Sequence, residues 1–211
     1  MRPTNPTVLL FRALLALALV AIAPAVRADS LTADESARLA RGETVIRDHT
    51  WEPGWSARYI GGVTYTVVDA SPPEISSVFD DVDAYRRVFP RTKRARLVGV
   101  QPNGDRLVEL VQGNALVQAE YTMVIRPDPA QLGVRFWLEA SRPHEIDDAF
   151  GYFRFEPFTG PEGEPRTLLT YAILVDIGPG IVRELFEGRV RAALMSVPQL
   201  VRRSVAKRPL P

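Results

Sequence analysis

The sequence has no cysteine at all and only two histidines, His49 and His144. Without thiols it can form no disulfide in an oxidising compartment, and thiol catalysis and thiolate-held metals are excluded, so its stability rests on core packing. The two histidines match no metal-ligand spacing. There is no glycine-rich phosphate loop and no dinucleotide fingerprint, so no cofactor is expected. Ser141, Ser196 and Ser204 lack the glycine-flanked elbow of a hydrolase nucleophile. A long apolar run is missing too: the stretch from Ala13 to Ala23 falls short of the roughly 20 residues a spanning helix needs. Nor is there an excess of charge of either sign. The formal charge is +1, and loss of Arg2, Arg12 and Arg27 with an N-terminal leader takes it to −2, which argues against nucleic acid as a partner.

What is present at the N-terminus has the form of a secretory signal peptide. Arg2 and Arg12 precede the apolar stretch, Pro24 follows it, and Val26-Arg27-Ala28 supplies a small-residue boundary for cleavage after Ala28. An uncleaved anchor is the alternative, and both readings place the remaining chain outside the cytoplasm, periplasmic or secreted. The sequence then divides into a leader (1–28), a lead-in helix and strand (29–60), and one main domain (61–208). With 46% apolar residues in 211, one ordinary core is the expectation.

Thr32 to Glu35 has capping-box form and opens a helix that stops at Gly42. A strand follows over 43–50, then a loop at Trp51–Trp55. From Gly62 to Ala70, Val63, Tyr65 and Val67 alternate with Thr64, Thr66 and Val68, the period of a strand, whose apolar side is taken as the inner one. Ser71-Pro72-Pro73-Glu74 then combines a cap, a proline at the first helical position and a capping-box glutamate. Ile75, Val78, Phe79 and Val82 follow at helical spacing, and Asp83 is expected to cap a second short helix before Pro90.

From Arg94 to Asp176 short strands alternate with turn signals at Pro102–Asp105, Pro127–Pro129 and Gly160–Gly163, the pattern of an antiparallel meander. Val111, Ala115, Val117, Ala119, Tyr121, Met123 and Ile125 share one parity and define its apolar face. After Gly178-Pro179-Gly180 an amphipathic helix carries Val182, Phe186, Val190, Ala193, Val197, Val201 and Val205, with a kink expected at Pro198. No repeat or linker marks a second domain.

This order of elements is the helix-grip arrangement. The chain resembles the START/Bet v 1-like (SRPBCC) superfamily, which includes lipid-transfer, coenzyme Q-binding-like and polyketide cyclase/dehydrase proteins. The likeness rests on Ala70–Glu74 leading into Val78–Asp81, on Phe89-Pro90, on Phe150–Phe155 and on the closing helix, over roughly residues 60–205. It implies an α+β fold, a curved antiparallel sheet wrapped around a long C-terminal helix, enclosing a cavity for lipids, sterols, quinones or polyketides. On that reading Tyr65, Tyr121, Met123, Phe136, Phe153 and Tyr171 from strands, with Phe186, Val190 and Leu194 from the helix, are ligand-binding candidates, and Arg189 a polar contact at the mouth. A solid core would use the same side chains.

The polar stretch Arg142–Asp148 gathers His144, Glu145, Asp147 and Asp148. It reads either as an acid/base pair of His144 with Asp147 or as a solvated loop. No catalytic residue and no metal ligand is assigned. Two classes of function remain, an exported monomeric carrier of a hydrophobic small molecule and a cyclase/dehydrase-type enzyme, with an interaction module as a third. Arg202, Arg203, Lys207 and Arg208 offer transient contact with an anionic membrane or end a solvated helix. Expressed with its leader in a Gram-negative host, the chain is expected in the periplasmic fraction with Asp29 as its first residue. N-terminal sequencing of that fraction checks this, and a cytoplasmic chain that keeps its leader overturns it.

Overall fold

A computed structural model describes residues 30–54, 57–115, 117–160 and 162–206. The expected signal peptide and the Lys207–Arg208 part of the basic cluster lie outside the described residues. The elements in chain order are α1 (Ala33–Ala40), β1 (Val45–Trp51), β2 (Tyr59–Val68), α2 (Pro72–Asp80), a 3₁₀ turn (Val82–Ala84), α3 (Tyr85–Val88), β3 (Thr92–Val100), β4 (Arg106–Gly113), β5 (Gln118–Asp128), a 3₁₀ turn (Pro129–Gln131), β6 (Gly133–Leu138), β7 (Asp148–Thr159), β8 (Pro165–Asp176), α4 (Ile181–Met195) and α5 (Val197–Ala206). The eight strands form one antiparallel sheet in the order β1-β2-β8-β7-β6-β5-β4-β3. Consecutive strands from β3 to β8 pair as hairpin neighbours, and β8 closes back on β2. The fold is α+β, a curved sheet gripping a C-terminal helix.

The helix starts follow the sequence signals. Glu35 accepts from the Thr32 backbone N–H at 2.8 Å, and Thr32 Oγ1 accepts from the Glu35 N–H at 3.2 Å, satisfying two otherwise orphaned donors of α1. At α2 the Glu74 carboxylate accepts from the Ser71 N–H at 2.7 Å and from its hydroxyl at 2.6 Å. The 3₁₀ turn after α2 is capped by Asp81, whose carboxylate accepts from the Asp83 N–H, and not by Asp83 itself. A short side chain at the first extended residue reaches back onto the turn, which Asp83, already inside it, does not do.

The sheet buries both faces over β2 and β8. Tyr65, with Val63 and Val67, faces outward and is covered by α1, forming a cluster with Leu39, Val45 and Ala172. Arg47 reaches from β1 to Glu35 of α1 at 2.9 Å. Hydrogen bonds from Arg47 and Thr32 hold the Glu35 carboxyl at about 2. The threonines of β2 are the inward residues. Thr64 donates to the carbonyl of Met195 at 3.2 Å, and Arg202 of α5 donates to Gly42 O at 3.0 Å and to Thr66 Oγ1 at 3.4 Å. One cation of the basic cluster is thereby tied to the sheet. The apolar parity of β2 is thus its outer side, because the lead-in helix creates a second, smaller core there.

A second parity correction falls in the β4–β5 hairpin. Val108 and Leu110 are the buried inward residues of β4, so Val111 lies on the opposite face. A tight connection, with Asn114 N–H donating to Val117 O at 2.8 Å, resets the alternation before β5. Ala119, Tyr121, Met123 and Ile125 keep the expected inward face.

The open end of the grip is tied by a buried carboxylate. Asp176 accepts from the Arg58 N–H at 2.9 Å and the Gly178 N–H at 3.0 Å, and pairs with Arg183 of α4. Arg58 extends the link to Glu187 at 3.0 Å, and Arg191 bridges Glu187 to Thr50. Asp176→Ala is expected to lower the unfolding free energy by about 3–5 kcal/mol, since it leaves a mostly buried guanidinium and two backbone donors unpaired. Urea denaturation reads the change, and a loss under about 1 kcal/mol would overturn this role.

Candidate functional site

The C-terminal helix is not one rod. Pro198 has no N–H to give the Leu194 carbonyl, and the chain breaks at Ser196 into α4 and α5. Beyond the break, Val197 and Val201 are buried against α2, α3 and the sheet. Before it, α4 stands off the inner face: Ile181 and Leu185 are 69% and 63% exposed, and Phe186, Val190 and Leu194 are only half-buried. The gap between α4 and the sheet is a cavity of about 320 Å³, at the lower end of the roughly 300–1,000 Å³ of small-molecule sites.

Its floor is built by alternate residues of five strands, Leu110 and Gln112 of β4, Ala119 to Ile125 of β5, Phe136 of β6, Ala149 of β7, and Tyr171, Ile173 and Val175 of β8. Phe186, Val190, Ala193 and Leu194 of α4 make the roof, and Tyr85, Phe89 and Pro90 close one end. Arg91, Glu145 and Arg189 are the charged side chains among the described lining residues, and all three are exposed. The charge therefore sits at the mouth and the interior is apolar.

Of the sequence candidates, Tyr121, Met123, Phe136, Tyr171, Phe186, Arg189, Val190 and Leu194 come together around this cavity. Two do not. Tyr65 is on the outer face, 2% exposed under α1. Phe153 is on the inner face but sealed between Phe79 of α2, at a ring distance of 4.3 Å, and Tyr171, at 4.6 Å. The inner face has two halves: α2 and α5 fill one with solid core, and α4 roofs the other. Arg189 lies at the mouth with its guanidinium 5.7 Å from the Phe186 ring centre, whereas Arg191 points toward β1.

Sequence reasoning missed Gln112, Ile173 and Val175. The last two follow from Tyr171 by simple alternation. An apolar parity that runs unbroken from Val111 to Ile125 puts Gln112 on the opposite, wet face, whereas the hairpin turn inverts it.

The polar stretch before β7 does not form an acid/base pair. His144 is exposed and its Nδ1 is 2.7 Å from the Ile146 carbonyl. The Asp147 backbone bonds Asp176, and Asp148 accepts from the Tyr59 hydroxyl at 2.8 Å. Among the described residues no group of three or more His, Asp or Glu is arranged to hold a metal.

Inside the cavity the polar atoms are few. The Tyr121 hydroxyl donates to Gln112 Oε1, and Gln112 Nε2 donates to Thr92 Oγ1 at 2.8 Å. Burial pushes the Tyr121 hydroxyl well above the ordinary tyrosine value of 10.0, and burial followed by the neighbouring Tyr121 does the same to Tyr171. Tyr85, buried and donating to Phe79 O at 2.9 Å, is pushed up to about 12. The cavity tyrosines are therefore neutral hydrogen-bond groups at physiological pH.

No protein-family model and no curated protein matches the sequence. Solved structures do match its fold. A STAR-related lipid transfer protein from Xanthomonas axonopodis is similar with a TM-score of 0.57 at 12% identity, over 76% of this chain and 99% of that one. The Zhui aromatase/cyclase from Streptomyces sp. R1128 gives 0.55 at 16% identity, over 79% and 96%. A START superfamily protein from Mycobacterium smegmatis gives 0.52 at 18% identity, over 69% and 96%. The chain has the START-like helix-grip fold, one that the lipid transfer protein and the aromatase/cyclase share.

Raised tyrosine values tie stability to alkaline pH with a definite sign. The unfolded chain releases these protons near pH 10 while the folded one holds them. The contribution is thus complete below pH 10 and lost as pH rises through the folded values. At about pH 10.5, ultraviolet titration of the folded protein should leave Tyr59, Tyr85, Tyr121 and Tyr171 un-ionised, and the midpoint of urea unfolding should fall above that pH. Ionisation of all six tyrosines together near pH 10 would contradict this.

Proposed function

We propose that the protein is an exported, monomeric carrier that binds a hydrophobic small molecule, such as a lipid, sterol or quinone, between its sheet and α4. One observation carries the reading: the break at Ser196 leaves an apolar void under α4 where α5 continues as solid core. Removing an apolar molecule from water into such a space is favourable by roughly 25 cal/mol per Å² buried. Its likeness in fold to a lipid transfer protein supports the reading. Export is supported by the N-terminal sequence alone.

A cyclase-type reaction in the same space would need a group that takes up or gives a proton inside it. Among the described lining residues the interior offers tyrosine hydroxyls held protonated by burial, and the one carboxylate, Glu145, is at the rim and accepts from the Glu120 N–H at 2.7 Å. Binding without turnover is the better match.

Native mass spectrometry of protein purified from a bacterial envelope without detergent is expected to show one apolar molecule per chain. Phe186→Trp and Tyr121→Trp, which fill the void from roof and floor, are each expected to cut uptake at least tenfold while leaving circular dichroism unchanged. Unchanged uptake in both folded variants overturns the assignment of this cavity.

A further inference from the structure

Tyr171 differs from the other polar groups of the cavity wall. It is 1% exposed and lines the cavity, yet its hydroxyl pairs with none of the described residues. Tyr85 donates to Phe79 O, Tyr121 to Gln112, and Gln112 to Thr92. The hydroxyl opens onto the cavity, and a polar atom set in an apolar wall is rare unless something outside the chain completes it. The ring itself is fixed, packed on Phe153 at 4.6 Å and Phe136 at 6.1 Å. The hydroxyl is therefore a preset donor in an apolar wall.

We infer that Tyr171 is the polar anchor of the ligand and that the ligand is a neutral molecule with a carbonyl oxygen on an apolar body, bound with that oxygen buried against the Tyr171 hydroxyl. This rests on the cavity being the binding site. Burial keeps the Tyr171 proton in place, so its O–H donor is satisfied only by a ligand oxygen that accepts. The acceptor must be uncharged, because the cationic lining residues, Arg91 and Arg189, are exposed at the mouth and a carboxylate carried to the interior would lose its hydration without a counter-charge. A pure hydrocarbon would fill the space and leave the hydroxyl unpaired.

The test uses two probes of matched shape, naphthyl hexyl ketone and heptylnaphthalene, with the wild-type chain and Tyr171→Phe, affinities being read by isothermal titration calorimetry. Tyr171→Phe keeps the ring and removes a hydroxyl that no described residue partners, so its thermal midpoint is expected at or above that of the wild type. Wild type is expected to bind the ketone about tenfold more tightly than the hydrocarbon, the size of one buried hydrogen bond. Tyr171→Phe is expected to lose that preference through weaker ketone binding alone. If both probes bind and the substitution leaves the ketone preference unchanged, or if wild type shows none, the anchor is overturned while the cavity reading stands. If neither probe binds the folded wild type, both readings fall.

Discussion

The hydrogen bond from Thr64 to the carbonyl of Met195 sits where the rest of the structure is decided. In an unbroken helix that carbonyl would accept from the N–H of Gln199. Here Gln199 turns to Ser196 instead, at 3.1 Å, since Pro198 interrupts the ladder and tightens the turn. The orphaned carbonyl is taken by a threonine on the inner face of the sheet. That pin fixes the point at which the C-terminal helix leaves the core. α5, on one side, buries Val197 and Val201; α4, on the other, rises to the Asp176 network that holds its far end. The cavity is the space between two fixed ends of a bent rod.

The same threonines show what the sequence could and could not convey. Capping residues, turn residues and the succession of hairpins are local, and the chain states them locally: Thr32 with Glu35, Ser71 with Glu74, the meander from β3 to β8. Which side of β2 faces inward is not local. Val63, Tyr65 and Val67 satisfy the period of a half-buried strand whichever side they face, and their burial depends on α1 lying across the outside of the sheet. A strand buried on both faces has no unique inner parity in its hydrophobicity. Its polar residues carried the information, because a fully buried threonine needs a partner, and the free carbonyl at the helix break is one.

The candidate site was legible to the extent that it follows from alternation along single elements. Tyr121 and Met123 on β5, and Phe186, Val190 and Leu194 on α4, share a face by period alone. Phe153 obeys the same rule on β7 and still lies outside the cavity, since α2 supplies Phe79 to cover it. Parity places a residue on the inner face; only the packing of α2 and α4 decides whether that face meets core or void. Gln112 is lost through the hairpin turn, where pairing Gly113 with Gln118 sets odd positions opposite even ones and inverts the parity carried across it.

A void of this size persists because its walls are held from behind. Phe136 lies against Gly151, its register partner on β7, where a methyl group would come within 2.6 Å of the ring. The missing side chain lets the ring sit down on the sheet instead of standing into the space. Phe153 supports Tyr171 from the filled half of the sheet, so neither ring can swing inward without opening the core under α2. Water entering from the mouth meets few partners on such walls, and displacing poorly bonded water with an apolar body is favourable. The exception is the hydroxyl of Tyr171, where a displaced water must be replaced by another acceptor. On the proposed reading, apolar walls held apart by packing set the size of what binds, and one fixed donor among them sets its orientation.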